Sequence, residues 1–256
     1  GGVIRMTAGR VNAIVTAYPE IKRLRKSHEV KTHLLGNPVR EEVLRLRDQV
    51  YPPLDADGIF RVLVTGGSQG ATILSDIVPD GLARLPINLR RRLQVTQQCR
   101  AEDIERVRNI YSEHDIPAEL ATYLTDLPER LGWSHLVISR AGASTIAELT
   151  CAGRPAILIP LPSATDNHQA YNVCEMVNAG GARAIAQSQF DPVELAKQIQ
   201  KIALHPGSIE AAARAARSVG RPEAVSDLAD LVESFGGATT MHRIRNKGES
   251  ESRYQG

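Results

Sequence analysis

Between Ile59 and Ile185 short apolar runs alternate with helix-forming segments, and two of the runs end in glycine-led turns. FRVLV (Phe60–Val64) leads into TGGSQGA (Thr65–Ala71), and HLVI (His135–Ile138) leads into SRAGASTIAEL (Ser139–Leu149). Few architectures accept this alternation. Each run reads as a strand and each intervening segment as a helix that returns over the sheet, so the strands come out parallel. The expected fold class is α/β, a doubly wound parallel sheet of Rossmann type. Strands are predicted near 60–65, 92–97, 120–124, 135–140, 156–161 and 183–186, with helices near 70–85, 101–113, 126–132, 143–153 and 167–179. Further amphipathic helices are predicted near 191–204, 207–217 and 222–234. Open parallel sheets bind ligands beyond the carboxyl ends of their strands, where strand order reverses. A strand, glycine turn and helix start aim backbone N–H groups at an anion, and two such turns in one sheet suggest a pyrophosphate.

The first forty residues follow a different pattern. AIVTAY (Ala13–Tyr18) and KTHLL (Lys31–Leu35) read as two strands joined by the polar PEIKRLRKSHEV, followed by GNPVR (Gly36–Arg40), a helical EEVLRLRDQV and the Pro/Asp-rich YPPLDADG. Two strands are marginal alone in water, so these are expected to be the end of a larger sheet whose first part is absent. The domain reading is therefore 1–40 as a remnant of a second Rossmann-like domain, 41–58 as a helix and linker, and 59–235 as the main domain. The last stretch, 236–256, lacks an apolar period and is expected to be a disordered tail.

Composition narrows the chemistry. The chain has 256 residues, 42% hydrophobic and 23% charged, enough for a substantial core. No run approaches the roughly 18 apolar residues of a membrane span and no signal-peptide pattern opens the sequence, which points to the cytoplasm. Cys99, Cys151 and Cys174 are scattered without metal-ligand spacing, so reduced thiols and no metal are expected. Residues 1–50 carry ten Lys/Arg against five Asp/Glu. This basic end suits an anionic lipid surface or a phosphorylated substrate, or is an ordinary solvated face. At 4% aromatic content, with no basic stripe interleaved with aromatics, nucleic acid is not an expected partner.

GNPVR, GGSQGA, LATYLTDLPERLGWSHLVISRAGASTIAEL, AGRPAILIPLPSATDNHQAYN and AGGARAI resemble, in that order and at those spacings, the C-terminal half of the MurG family of glycosyltransferases, over roughly residues 10–235. The resemblance implies a GT-B architecture, two Rossmann-like domains with the active site in the cleft between them. It implies transfer of N-acetylglucosamine (GlcNAc) from UDP-GlcNAc to undecaprenyl-pyrophosphoryl-N-acetylmuramoyl pentapeptide (lipid I). The product is lipid II of peptidoglycan synthesis, made at the cytoplasmic face of the bacterial inner membrane, to whose anionic surface the enzyme is peripheral. No cofactor is implied.

The residues fit a UDP-sugar site. At Ala141-Gly142 the backbone can approach phosphates, while Ala143, Ser144 and Thr145 supply N–H groups or hydroxyls at a helix start whose dipole favours negative charge. Glu148 follows Ser144 by four residues on the same helix face, where its carboxylate can accept both ribose hydroxyls, the role the resemblance gives it. The competing reading is a surface glutamate. Leu124 matches the family position whose backbone holds uracil. Gly67, Ser68 and Gln69 match positions contacting the donor phosphates and sugar, and Arg40 matches an arginine facing the donor. Gln169, with His168 and Asn172, matches the polar group against GlcNAc; His168 reads better as a helix-start hydrogen bonder than as a base.

Nothing here corresponds to the family's GGTGGH-type loop, whose histidine serves the acceptor, so the catalytic base is not assigned. The chain is expected to bind the donor yet transfer weakly alone, forfeiting on the order of 7 kcal/mol of positioning. A missing N-terminal half or a partner chain would complete it. Three alternatives stay open: a non-catalytic UDP-sugar-binding module, a subunit of a two-chain glycosyltransferase, and a UDP-sugar epimerase. A dinucleotide oxidoreductase is disfavoured, since neither turn spells GxGxxG with an acid about 20 residues on.

Overall fold

The computed structural model describes residues 8–16, 27, 32–161, 168–203 and 207–235, with the side chains of 67–71 and 168–172 outside the description. The segment expected to be a disordered tail, 236–256, lies outside the described residues, as do most of PEIKRLRKSHEV and Ala17 and Tyr18 of the first expected strand. The chain divides into two units. Val39–Arg221 form one, and the residues up to Pro38 together with those from Pro222 onward form the other.

In the second of these units, β1 (Ile14–Thr16) and β2 (Thr32–Leu34) pair in parallel, Ile14 opposite Thr32 and Thr16 opposite Leu34. Beyond the pair, the N–H of Leu35 donates to Thr16 O at 2.9 Å. Residues 224–235 are helical.

The Val39–Arg221 unit runs α1 (Glu41–Arg45), β3 (Phe60–Thr65), α2 (Gly67–Ala83), α3 (Ile87–Arg90), β4 (Leu93–Gln98), α4 (Ile104–Glu113), β5 (Ala118–Ala121), α5 (Leu127–Trp133) and β6 (Leu136–Arg140). It continues through α6 (Ala143–Ala152), β7 (Ala156–Ile159), α7 (His168–Ala179), β8 (Ala182–Ala184), α8 (Pro192–Ala203) and α9 (Ser208–Ser218). The six strands lie in the order β5-β4-β3-β6-β7-β8, every pair parallel. From β3 the chain builds outward to β5, then crosses to β6 and builds outward on the other side. Strand order therefore reverses between β3 and β6, the two strands that end in glycine turns.

The central strands β3, β6 and β7 bury both faces, which is why they read as near-continuous apolar runs rather than alternating ones. Phe60, Val62 and Val64 of β3 join Leu136 and Ile138 of β6 in a core closed by Leu74, Val78 and Leu82 of α2 and Leu195 and Ile199 of α8. On the opposite face Leu63, Val137 and Leu158 meet Val43 of α1, Ile146 and Leu149 of α6, and Met176 of α7.

Several boundaries move. β5 ends at Ala121, not at 124, because its partner β4 pairs only along Ala118–Ala121; Leu124 lies in the loop before α5. The turn GSQG itself forms the first turn of α2, which starts at Gly67 rather than 70. A one-turn helix, α3, precedes β4 where none was expected.

The Pro/Asp-rich segment is docked along its length. Arg92 donates to Asp55 O and Gly58 O, and the Tyr51 hydroxyl donates to His135 O at 2.7 Å. His135 is buried, its Nδ1 accepting the N–H of Arg61 at 3.0 Å while Nε2 lies 3.3 Å from Pro53 O. These partners require the neutral ring with its proton on Nε2. Burial holds its pKa down at about 4. The unfolded chain binds this proton near pH 6.5, and the folded chain does so only near 4, so stability is expected to fall steadily as pH drops through that window. Urea unfolding midpoints at pH 7 and pH 4.5, compared with those of His135→Gln, check this: the variant should lose part of the pH dependence.

Candidate functional site

α6 begins at Gly142 without a side-chain cap and ends at Gly153, whose φ of +63° closes the helix in the left-handed conformation. At its start, Gly142 has φ −70° and ψ 150°, angles open to any residue, and an added Cβ would meet only Thr145 Oγ1, at 3.5 Å. Neither backbone strain nor crowding calls for glycine here. With no side chain at the cap, the N–H groups of the first turn have no acceptor within the helix and none from Gly142. The first turns of α6, α2 and α7 contain no acidic residue. The dipole of a helix start favours negative charge, and none is supplied by a residue of these first turns.

The carboxyl ends of β3, β4 and β5 and the first turns of α6 enclose a cavity of about 480 Å³. Five of the expected site residues line it together: Arg40, Leu124, Ser144, Thr145 and Glu148. Gly142 and Ala143 form the helix start beside it. Gly67, Ser68 and Gln69 form the start of α2 at the end of β3; His168, Gln169 and Asn172 belong to the first turns of α7, and the side chains of both groups lie outside the described residues.

Four further lining residues were not anticipated: Thr65, Gln98, Thr122 and Tyr123. The Thr65 hydroxyl donates to Gln98 Oε1 at 3.1 Å, and Gln98 Nε2 donates to Thr122 O at 3.2 Å, a polar line across the ends of three strands. A signal existed for Thr65, the polar residue closing the apolar VLV of β3; Gln98 ends a strand, LQVTQQ, in which polar residues are common. Leu127, Leu131, Val137 and Leu149 supply the apolar part of the wall. Leu124 is buried and Tyr123 stands 72% exposed at the mouth.

Glu148 is not alone. Nε and Nη2 of Arg40 both lie 3.0 Å from its Oε1, across 108 residues of sequence. Among the described residues no cluster of three or more His, Cys, Asp or Glu has the geometry to hold a metal, and no helix is long and apolar enough to cross a membrane.

An open parallel sheet wound in both directions, with a cavity beside its switch point walled by the start of a helix, defines a Rossmann-type domain. The chain belongs to glycosyltransferase family 28: residues 61–241 match the model of that family's C-terminal domain. It is 62% identical over 250 residues, 98% of its length, to a protein of Erythrobacter litoralis, and 64% identical over 237 residues, 93% of its length, to one of Zymomonas mobilis. Both carry the name UDP-N-acetylglucosamine–N-acetylmuramyl-(pentapeptide) pyrophosphoryl-undecaprenol N-acetylglucosamine transferase. The chain spans 63% and 61% of these curated relatives' own lengths. The crystal structure of Acinetobacter baumannii MurG superposes with a TM-score of 0.72 at 24% identity, over 90% of this chain and 63% of that one, and shares its fold.

Proposed function

We propose that the Val39–Arg221 unit binds the donor of a GlcNAc transfer, UDP-GlcNAc, in the cavity formed by the ends of β3, β4 and β5 and the first turns of α6. The observation that carries this is the convergence of Arg40, Leu124, Ser144, Thr145 and Glu148 on one cavity beside the switch point. In this reading Leu124 offers its backbone to uracil, Glu148 accepts from the ribose hydroxyls, and Gly142, Ala143, Ser144 and Thr145 face the diphosphate. Gly67, Ser68 and Gln69 approach the phosphates and sugar from α2, and His168, Gln169 and Asn172 the sugar from α7.

The starts of α2 and α6 can take up the negative charge that develops on the departing diphosphate, without a metal ion. The acceptor is lipid I and the product lipid II, by inversion at the anomeric carbon at the cytoplasmic face of the inner membrane, where the protein is peripheral. In this reading the segment up to Pro38 is part of an acceptor domain and Val39–Arg221 is the donor domain.

Calorimetric titration of the 256-residue chain tests the donor assignment. UDP and UDP-GlcNAc should bind at one site and NAD should neither bind nor compete. Absence of UDP binding, or displacement of UDP by NAD, would overturn it. Incubation with UDP-GlcNAc and no acceptor should leave the sugar unchanged, whereas conversion to a second UDP-sugar would point to an epimerase.

A further inference from the structure

Arg40 meets Glu148 in an uncommon way. A guanidinium usually takes both oxygens of a carboxylate in parallel. Here Nε of Arg40 donates to Oε1 and Nη2 lies 3.0 Å from the same oxygen, and no other side-chain hydrogen bond to Glu148 is present among the described residues. The backbone at each end is fixed. Arg40 immediately precedes α1, its neighbour Val39 is buried, and Val43 of α1 packs in one cluster with Ile146 and Leu149 of α6. The Arg40 side chain is 47% exposed and that of Glu148 18% exposed, so as a stabilising pair the two count for little. What the contact does is restrict the carboxylate.

We propose that Arg40 is a positioning residue that acts through Glu148: it holds Oε1 and so leaves Oε2, in a fixed rotamer on the cavity wall, to accept from the ribose of a uridine nucleotide. This rests on the donor reading above. It differs from the role implied by the family resemblance, in which the arginine addresses the donor itself. The two roles separate on a ligand that lacks one ribose hydroxyl. A phosphate ligand serves UDP and 2′-deoxy-UDP alike, whereas a residue that aims Glu148 matters more to UDP.

The experiment is calorimetric titration of UDP and 2′-deoxy-UDP into the unaltered chain, Arg40→Ala, Glu148→Ala and the double variant. The unaltered chain should prefer UDP by on the order of tenfold or more, the worth of one hydrogen bond to a charged acceptor. Arg40→Ala should cut that preference to about threefold or less, and adding Arg40→Ala to Glu148→Ala should change neither affinity further. Arg40→Lys, with one charged donor instead of a fork, should fall between. Equal weakening of both nucleotides by Arg40→Ala would make Arg40 a direct phosphate ligand, and no change in either would make the pair incidental; both overturn the inference. An unaltered chain that binds UDP without preferring it over 2′-deoxy-UDP also overturns it while sparing the donor assignment. Failure to bind UDP at all overturns the donor assignment beneath it.

Discussion

Arg154→Met is expected to lower stability by about 3 kcal/mol, and the thermal midpoint by roughly 6–12 °C for a unit of this size. Arg154 is 2% exposed, yet among the described residues no carboxylate pairs with it. Its partners are carbonyls: Leu131 O at 2.6 Å and Gly132 O at 3.1 Å in the last turn of α5, Ala152 O at 3.0 Å and Gly153 O at 3.3 Å at the end of α6. The last carbonyls of a helix have no partner within it and carry partial negative charge. One guanidinium serves two such ends and stacks over the Tyr51 ring at 5.3 Å. Burial pushes its pKa down to about 10, which still leaves it charged at neutral pH. Methionine would fill the stem's volume and relieve the cost of burying a charge, but Gly132 O, Ala152 O and Gly153 O would lose this donor and Leu131 O would keep only Ser134. Stranded acceptors outweigh the relieved charge, because each costs about 1–3 kcal/mol if water does not reach it. Thermal unfolding by circular dichroism checks this, and Arg154→Lys, reaching fewer carbonyls, should recover only part of the loss. A midpoint within 2 °C of the unaltered protein would contradict the account.

The second large effect falls on ligand rather than fold. Glu148→Ala should weaken UDP binding by about 3 kcal/mol, a little over a hundredfold in Kd, if the carboxylate accepts from both ribose hydroxyls. The same change should barely move the thermal midpoint, because the ion pair it breaks is largely exposed on the arginine side. That separation matters: affinity lost with stability kept identifies a binding group, whereas loss of both would indicate a structural one. Titration calorimetry and thermal unfolding on the same preparation provide the comparison.

Local chemistry in the sequence was enough for the sheet. Apolar runs long enough to be strands, separated by amphipathic segments, specify parallel strands covered on both faces, and the six-stranded sheet follows that reading. Glycine turns at the ends of β3 and β6 marked the switch point because a turn of that kind needs only neighbouring residues. Boundaries were less legible. Ala118 and Glu119 look no more strand-like than Thr122 and Tyr123, and only pairing with β4 selects the former. Contacts over long sequence separations were not legible at all: nothing near Arg40 announces Glu148, and nothing in AGRP announces that Arg154 will serve the end of α5 as well as α6. The line from Thr65 through Gln98 to Thr122 likewise exists only once β3, β4 and β5 lie side by side. The site's local half, Ser144, Thr145 and Glu148 on one helix face, was readable because helical spacing alone brings those residues together.

Arg61 and His135, at the roots of β3 and β6, are 74 residues apart in the chain. The cavity therefore has no existence in any fragment or partly folded intermediate that has not yet zipped these two strands. Under the proposed donor assignment, nucleotide binding is expected to be linked to the pairing of these strands. A nucleotide held at a hundred times its Kd should add about 2.7 kcal/mol to the unfolding transition and slow amide hydrogen exchange even at strand residues remote from the ligand.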